Sequence, residues 1–410
     1  MAQTKTPLLN STLRWFLFAM ILANIASAMV FTVLSLYLTH LGASVGQVGL
    51  VYSTASVVPL ILQILGGWLS DSIGRLRTIA IGSAAATLGY LGFVLAPSWE
   101  WVLVALCLEY ISGSLVGPSF GAFIADQSSE ESRGRVYGLS ISIFLVVGVV
   151  GPPLGGWLVD WRGFKTMMLV AFILYAGASA LRIWMATTVR FGETQIAKKP
   201  TLTGLRSSLS GIIALLVGGG ILTWILLTDG VSDISSQFSN QLQPLYVSQL
   251  WGLSVTQIGW LQSILSAVMM IVTFPSGWLS DHFSERRVIA AGFMLQFIGL
   301  VIFLTANGFY IFALSAAVLG AGFGMVSPAY DALVSKAVPE QMRGIAFGFF
   351  RSSLGVISLP APWIGAQLWE RFSPRTPFLL TAMAALISTS MAWFKLKLPP
   401  KVETVAQEAA

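Results

Sequence analysis

Charge is scarce in this 410-residue chain: Asp, Glu, Lys and Arg together make up 10%, where a soluble domain carries about 25%. With 55% hydrophobic residues and a mean hydropathy of +0.79, a water-facing fold would expose more apolar surface than soluble proteins do. A soluble domain is excluded, and the chain belongs in a bilayer. Cysteine is nearly absent. Cys107 stands alone, so no disulfide forms within the chain and the redox compartment stays open. The two histidines, His40 and His282, fall in predicted loops without partners, and no motif with metal-ligand spacing surrounds either. A phosphate-cradling P-loop is missing as well. These absences argue against an enzyme and leave no cofactor or metal to expect.

What the chain does have is 40 Gly, 14 Trp and twelve apolar stretches, a composition suited to close helix packing and interfacial anchoring. The stretches run at roughly 15–38, 46–68, 77–96, 99–124, 136–158, 166–188, 222–246, 256–278, 288–306, 309–334, 345–368 and 376–398, each near or above the ~20 residues a crossing helix needs. With both termini cytoplasmic, most basic residues fall inside, from Lys5, Arg14, Arg75 and Arg77 through Arg133, Arg190 and Lys198 to Arg286, Lys336, Arg343 and Lys395. Arg162, Lys165, Arg371 and Arg375 fall outside. The net charge of +6 thus records topology by the positive-inside rule and not a nucleic-acid surface, which would need basic residues interleaved with aromatics. The first stretch is too long for a signal peptide and lacks its cleavage site. Residues 191–210 are polar and basic. They read as a cytoplasmic linker between an N-terminal six-helix bundle (1–190) and a C-terminal one (211–410).

The two bundles are copies. Gly-Trp-Leu-Ser-Asp occurs at Gly67–Asp71 and again at Gly277–Asp281, 210 positions on. The same offset pairs Gly42 with Gly252, Gln47 with Gln257, Gly49 with Gly259, Pro118 with Pro328, Arg133-Gly134 with Arg343-Gly344, Gly138 with Gly348, Pro152 with Pro362 and Thr166 with Thr376. A period this long is a duplicated half and no solenoid. Two parallel halves in a membrane are a transporter architecture.

The segment Gly67-Trp-Leu-Ser-Asp71-Ser-Ile-Gly74-Arg75-Leu-Arg77 resembles the loop 2–3 signature of the major facilitator superfamily, and with twelve spans and the duplication the resemblance covers nearly the whole chain. It implies an all-α membrane protein, two repeat-related six-helix bundles rocking about a central cavity. Physically, a tight turn at Gly74 needs positive φ, and Gly67 admits a neighbouring backbone. Asp71 suits a helix N-terminus, in the family that of the eleventh helix. Arg75 would pair with Asp126 at the inner end of the fourth. The resemblance gives Gly67, Asp71, Gly74, Arg75, Arg77 and Asp126 a gating role on the inner face. The plainer alternative is a basic turn with a helix stop. In the second copy Ser284 replaces Gly74 and Glu285 replaces Arg75, a degraded version.

The fifth span carries Gly138, Gly148 and Gly151-Pro152-Pro153-Leu-Gly155-Gly156. It resembles the antiporter motif of drug–proton exchangers, matching at Gly138, Gly151, Pro152, Gly155 and Gly156, with Val147 at the middle glycine position. Glycine and proline remove bulk and a backbone hydrogen bond, so the helix can kink and pack closely. A simple packing face is the alternative.

Ionisable residues inside spans are costly in lipid and tend to face cavities. In the seventh span Asp229, Asp233, Ser236, Asn240 and Gln243 share one helical face. The repeat sets Asp233 opposite Ala23, beside Asn24, so Asn24 and Asp233 are expected to flank one cavity. Two carboxylates one turn apart in a partly dry site disfavour double ionisation, which suits a proton carrier. Alternatively the span ends near Thr228 and the stripe lies at an interface; the repeat opposes this. In the fourth span Glu109 occupies the place of the arginine in the family's Arg-x-x-x-Gly pattern. It would carry a proton, contact a cation, or pair with Arg351 of the eleventh span. Arg182, at the inner end of the sixth, is expected to snorkel.

The reading is a proton-coupled exporter of a small amphipathic molecule by alternating access in the inner or plasma membrane, a monomer whose partners are substrate, protons and lipid. The cavity residues are Asn24, Glu109, Asp229, Asp233, Asn240 and Arg351. The first alternative is a proton-coupled importer or facilitator of a small metabolite on the same fold. A sensor or lipid-handling protein that kept the scaffold is the second.

Overall fold

In a computed structural model, residues 9–128, 130–188, 220–337 and 355–396 are described. Among them the chain is helical throughout, without strands. The first half contains α1 (Ser11–His40), α2 (Val45–Ala55), α3 (Val57–Ile73), α4 (Arg75–Leu95), α5 (Trp99–Gln127), α6 (Glu130–Arg162) and α7 (Phe164–Thr188). The second contains α8 (Ile221–Ser239), α9 (Gln243–Trp251), α10 (Val255–Phe283), α11 (Glu285–Thr305), α12 (Phe309–Ala337), α13 (Ala361–Arg371) and α14 (Thr376–Lys395). Ten described stretches are long and apolar enough to cross a membrane. The seventh crossing is divided between α8 and α9. The eleventh is described only from residue 355 on.

Prolines explain the divided crossings. Pro59 has no N–H for the carbonyl of Ala55, where α2 gives way to α3. Pro244 likewise cannot bond Asn240, and a single 3-10 turn, Asn240–Leu242, separates α8 from α9. The starts of α2 and α10 are specified in duplicate. Ser44 and Ser254 each accept from the N–H of a glutamine three residues on, Gln47 and Gln257, whose side chain returns the bond. Between α3 and α4 Gly74 has φ +98°, as its turn requires, and its repeat partner Ser284 adopts φ +80° without being glycine.

Within each half the helices pack in the same pairs: α4 on α5 and α1 on α7 in the first, α11 on α12 and α8 on α14 in the second. The halves meet mainly along α6 with α10 and α2 with α13, which the duplication makes equivalent pairs. Outward faces carry large apolar side chains such as Trp101, Ile173, Phe274 and Met383, which belong against acyl chains. Both histidines lie in last helical turns and not in loops: His40 stacks on Phe164, and the His282 ring meets Trp278.

Candidate functional site

A cavity of about 220 Å³ opens within the first half. Asn24 and Ser27 of α1, Glu109, Ser112 and Gly113 of α5, Phe144 of α6, and Tyr175 and Arg182 of α7 line it. Asn24 spends its amide on the Met20 carbonyl at 2.7 Å, and the Tyr175 hydroxyl lies 3.2 Å from Ser112 Oγ. Glu109 is half-buried. Among the described residues no Lys, Arg or His nitrogen lies within salt-bridge distance of it. Its expected partner Arg351 lies outside the described residues.

Arg182 departs from expectation. It does not snorkel: it is 1% exposed, with Nη1 donating to Ser83 Oγ of α4 at 2.8 Å and Nη2 near Met20 Sδ of α1 at 2.8 Å. Its guanidinium lies 6.0 Å from the Tyr175 ring centroid. All of these partners are neutral, and among the described residues no carboxylate pairs with it. Hydropathy misses Arg182 because a residue near a span's end can reach water equally well. The available signal is Tyr175, two turns earlier on the same face.

The stripe on the seventh crossing is distributed over several places. Asp233 lies beside Ser358 of the eleventh crossing, and Asp229 lies in the field of Asp233 and of Asp331 on α12. Below them Thr228 receives a hydrogen bond from Tyr330 at 2.5 Å. Beyond the 3-10 turn, Asn240 and Gln243 line a 90 Å³ cavity with Phe31 and Thr32 of α1, and with Ser236 and Gln296 a 40 Å³ cavity inside the second half. Asn24 and Glu109 therefore share one cavity, joined by Arg182, while Asn240 belongs to others. Asp229 and Asp233 sit near α12 and the eleventh crossing.

At the turn between α3 and α4, Arg75 pairs with Asp71 across the Gly74 break, its Nη1 lies 3.2 Å from Ser70 Oγ, and its Nε lies 3.6 Å from Asp126 Oδ2. Arg77 is exposed. What packs on Gly67 lies outside the described set; at the adjacent Gly66, α3 meets the Ser114 backbone of α5. The second copy is no degraded version. Glu285, in Arg75's place, pairs with Lys336, in Asp126's place, so the ion pair survives with its charges exchanged. The offset from Asp126 to Lys336 was legible beforehand. Helix dipoles rationalise the exchange. Arg75 puts a cation at a positive helix N-terminus and is flanked by two carboxylates, whereas Glu285 suits that end and a single lysine suffices.

The fifth-crossing glycines serve two neighbours. A Cβ on Gly151 would stand 2.5 Å from Ala28 Cβ, and one on Gly155 2.9 Å from Met29 Cα, both of α1. Gly156 abuts the backbone of Val255 and Thr256 in the other half. Pro152 turns its carbonyl toward Gly259. Gly138 is exposed, and among the described residues nothing stands within 4 Å of a Cβ placed on it.

The sequence model described as Major Facilitator Superfamily matches residues 16–231 and 225–410. Among relatives, the multi-drug resistance efflux pump PmrA homolog of Lactococcus lactis is 27% identical over 88% of this chain and 89% of its own. The quinolone resistance protein NorA of Staphylococcus aureus is 23% identical over 86% and 88%. Two solved structures share the fold. The nucleoside transporter NupG superposes with TM-score 0.76 at 16% identity over 94% of this chain and all (100%) of that one. A bacterial homolog of the human lysosomal transporter Spinster, inward-facing and occupied, gives 0.73 at 15% identity over 94% and 98%. The chain is a member of the Major Facilitator Superfamily, a multi-pass membrane transporter.

Proposed function

We propose that this protein exports small amphipathic molecules in exchange for protons, by alternating access between the bundles 1–190 and 211–410 joined through 191–210. The named efflux pumps among its relatives support the direction. The observation that carries the reading is the first-half cavity, where Glu109 has no basic partner among the described residues and faces aromatic walls. A carboxylate there is accessible to a proton from one side and to substrate from the other, and competition between the two couples their flows. Asp229, Asp233 and Asn240 form a second polar region, with Arg351 as an expected contributor.

Both termini are cytoplasmic in this reading, so the ends of α1, α6 and α13 lie outside. There the halves are packed tightly, whereas among the described residues nothing stands within 4 Å of a Cβ placed on Gly134 or Gly138 of α6 or Gly277 of α10, toward the inner face. That contrast supports an inward-facing state. The pairs Arg75–Asp126 and Glu285–Lys336, with Asp71, Gly74 and Arg77, are the inner-face gating elements.

The test is proton movement in proteoliposomes under an imposed pH gradient, titrated with lipophilic cations and neutral drugs. Compound-dependent proton flux that Glu109→Gln abolishes is expected. Flux unaltered in both Glu109→Gln and Asp233→Asn removes these carboxylates as carriers. A tracer metabolite that equilibrates without proton movement leaves a facilitator.

A further inference from the structure

At the end bearing the 41–44 and 252–254 turns, two helix N-termini are closed from the opposite half by carboxylates. Asp160, at the end of α6, accepts from Val255 N at 3.2 Å, Thr256 N at 2.8 Å and Thr256 Oγ1 at 2.6 Å, all in α10. Glu370, at the end of α13, accepts from Gly46 N of α2 at 2.6 Å. Asp160 and Glu370 are 210 positions apart, as are Gly46 and Thr256. In each helix the capping box occupies the third N–H, and the carboxylate from the other half takes donors of the first turn that would otherwise lack partners. Beneath each cap the backbones touch in the same duplicated way. A Cβ on Gly49 would stand 2.5 Å from Pro362 O, and one on Gly259 2.5 Å from Pro152 O.

We propose that Asp160 and Glu370 are positioning residues for transport, twin latches that hold the outer gate shut through the N-termini of α10 and α2. They must both be released before the outward-facing state can form. Helix dipole and charge act together here, since an anion is favoured at a helix N-terminus. The bonds cross between the bundles, so they stabilise one orientation of the halves and not either half alone. This assignment rests on the alternating-access reading above.

The experiment places spin labels on Glu100→Cys and Asn307→Cys, both exposed loop-end positions in opposite halves. A Cys107→Ser background leaves no other thiol. Distances are measured in lipid nanodiscs without substrate. Loss of a helix N-terminal cap corresponds to about a fivefold change in an equilibrium. Asp160→Ala and Glu370→Ala are each expected to raise the open-to-closed ratio about fivefold, and the double variant about twenty-five-fold. Thr256→Val, which leaves Asp160 untouched, should move the ratio in the same direction by less. Asp160→Glu should restore part of the closure. Unchanged distances in the double variant, with a wild-type melting profile, overturn the proposal and leave closure to glycine–proline packing. Should Asp160→Ala fail to fold, an unchanged ratio in Thr256→Val overturns it equally. Because no substrate is present, these outcomes stand apart from the export reading. An impermeant thiol reagent on Asn307→Cys in sealed cells separately tests which side is outside.

Discussion

Lys336→Met is expected to destabilise the protein by far more than Glu285→Gln, although the two residues form one ion pair. The Glu285 side chain is 7% exposed and that of Lys336 48%. Removing the lysine strands a buried carboxylate; removing the glutamate leaves an ammonium that is already half exposed to solvent. Breaking a buried pair from one side costs about 3–5 kcal/mol. Two effects reduce this figure. Lysine's exposure screens the pair, and the N-terminus of α11 supports an anion by about 0.3–1 kcal/mol. The expected losses are about 1.5–3 kcal/mol for Lys336→Met and below about 1 kcal/mol for Glu285→Gln. The double variant Glu285→Leu/Lys336→Met, with no stranded charge, should recover most of the loss, since an apolar pair of similar volume often replaces an ion pair without penalty. Equilibrium unfolding in mild detergent reads all three. Equal costs for the two single changes, or a double variant as poor as their sum, would refute the reasoning from burial.

Ser284→Gly is expected to raise the melting temperature by a few degrees, because φ +80° at a non-glycine residue stores about 1–3 kcal/mol; no gain would mean the turn is unstrained. Ser263→Ala should cost about 1–3 kcal/mol. Ser263 Oγ bonds the Val149 carbonyl at 2.5 Å, which Pro153, four residues on and lacking an N–H, cannot serve. Pro153→Ala in the Ser263→Ala background should restore stability, as denaturation in micelles would show. Arg182→Met should leave stability near wild type, an apolar side chain replacing a buried cation, yet shift export toward cationic over anionic compounds. An unchanged substrate profile would place Arg182 outside the transport site.

The duplicated spacing was legible because helix starts, turns and prolines act locally. Gly42 and its repeat partner Gly252 both take positive φ in their own turns, whereas Pro59 and Pro244, which the repeat does not share, interrupt crossings that hydropathy reads as continuous. Composition placed the chain in a bilayer for the same reason, since transfer free energy sums over residues without knowledge of the fold. Polar spacing likewise pointed to Glu109 and to the seventh crossing, because a charged residue in a span is costly at any position lipid can reach. Packing between helices far apart in sequence decided the rest. Arg182 is buried because α1 and α4 close over it with Met20 and Ser83. Asn240 and Gln243 reach cavities apart from that of Asn24 and Glu109 because the 3-10 turn Asn240–Leu242 breaks the seventh crossing there. Whether Asp160 and Glu370 are loose surface acids or caps on the opposite half depends on how the two bundles are docked. No local rule of the chain contains that relation, and only the tertiary structure brings those groups together.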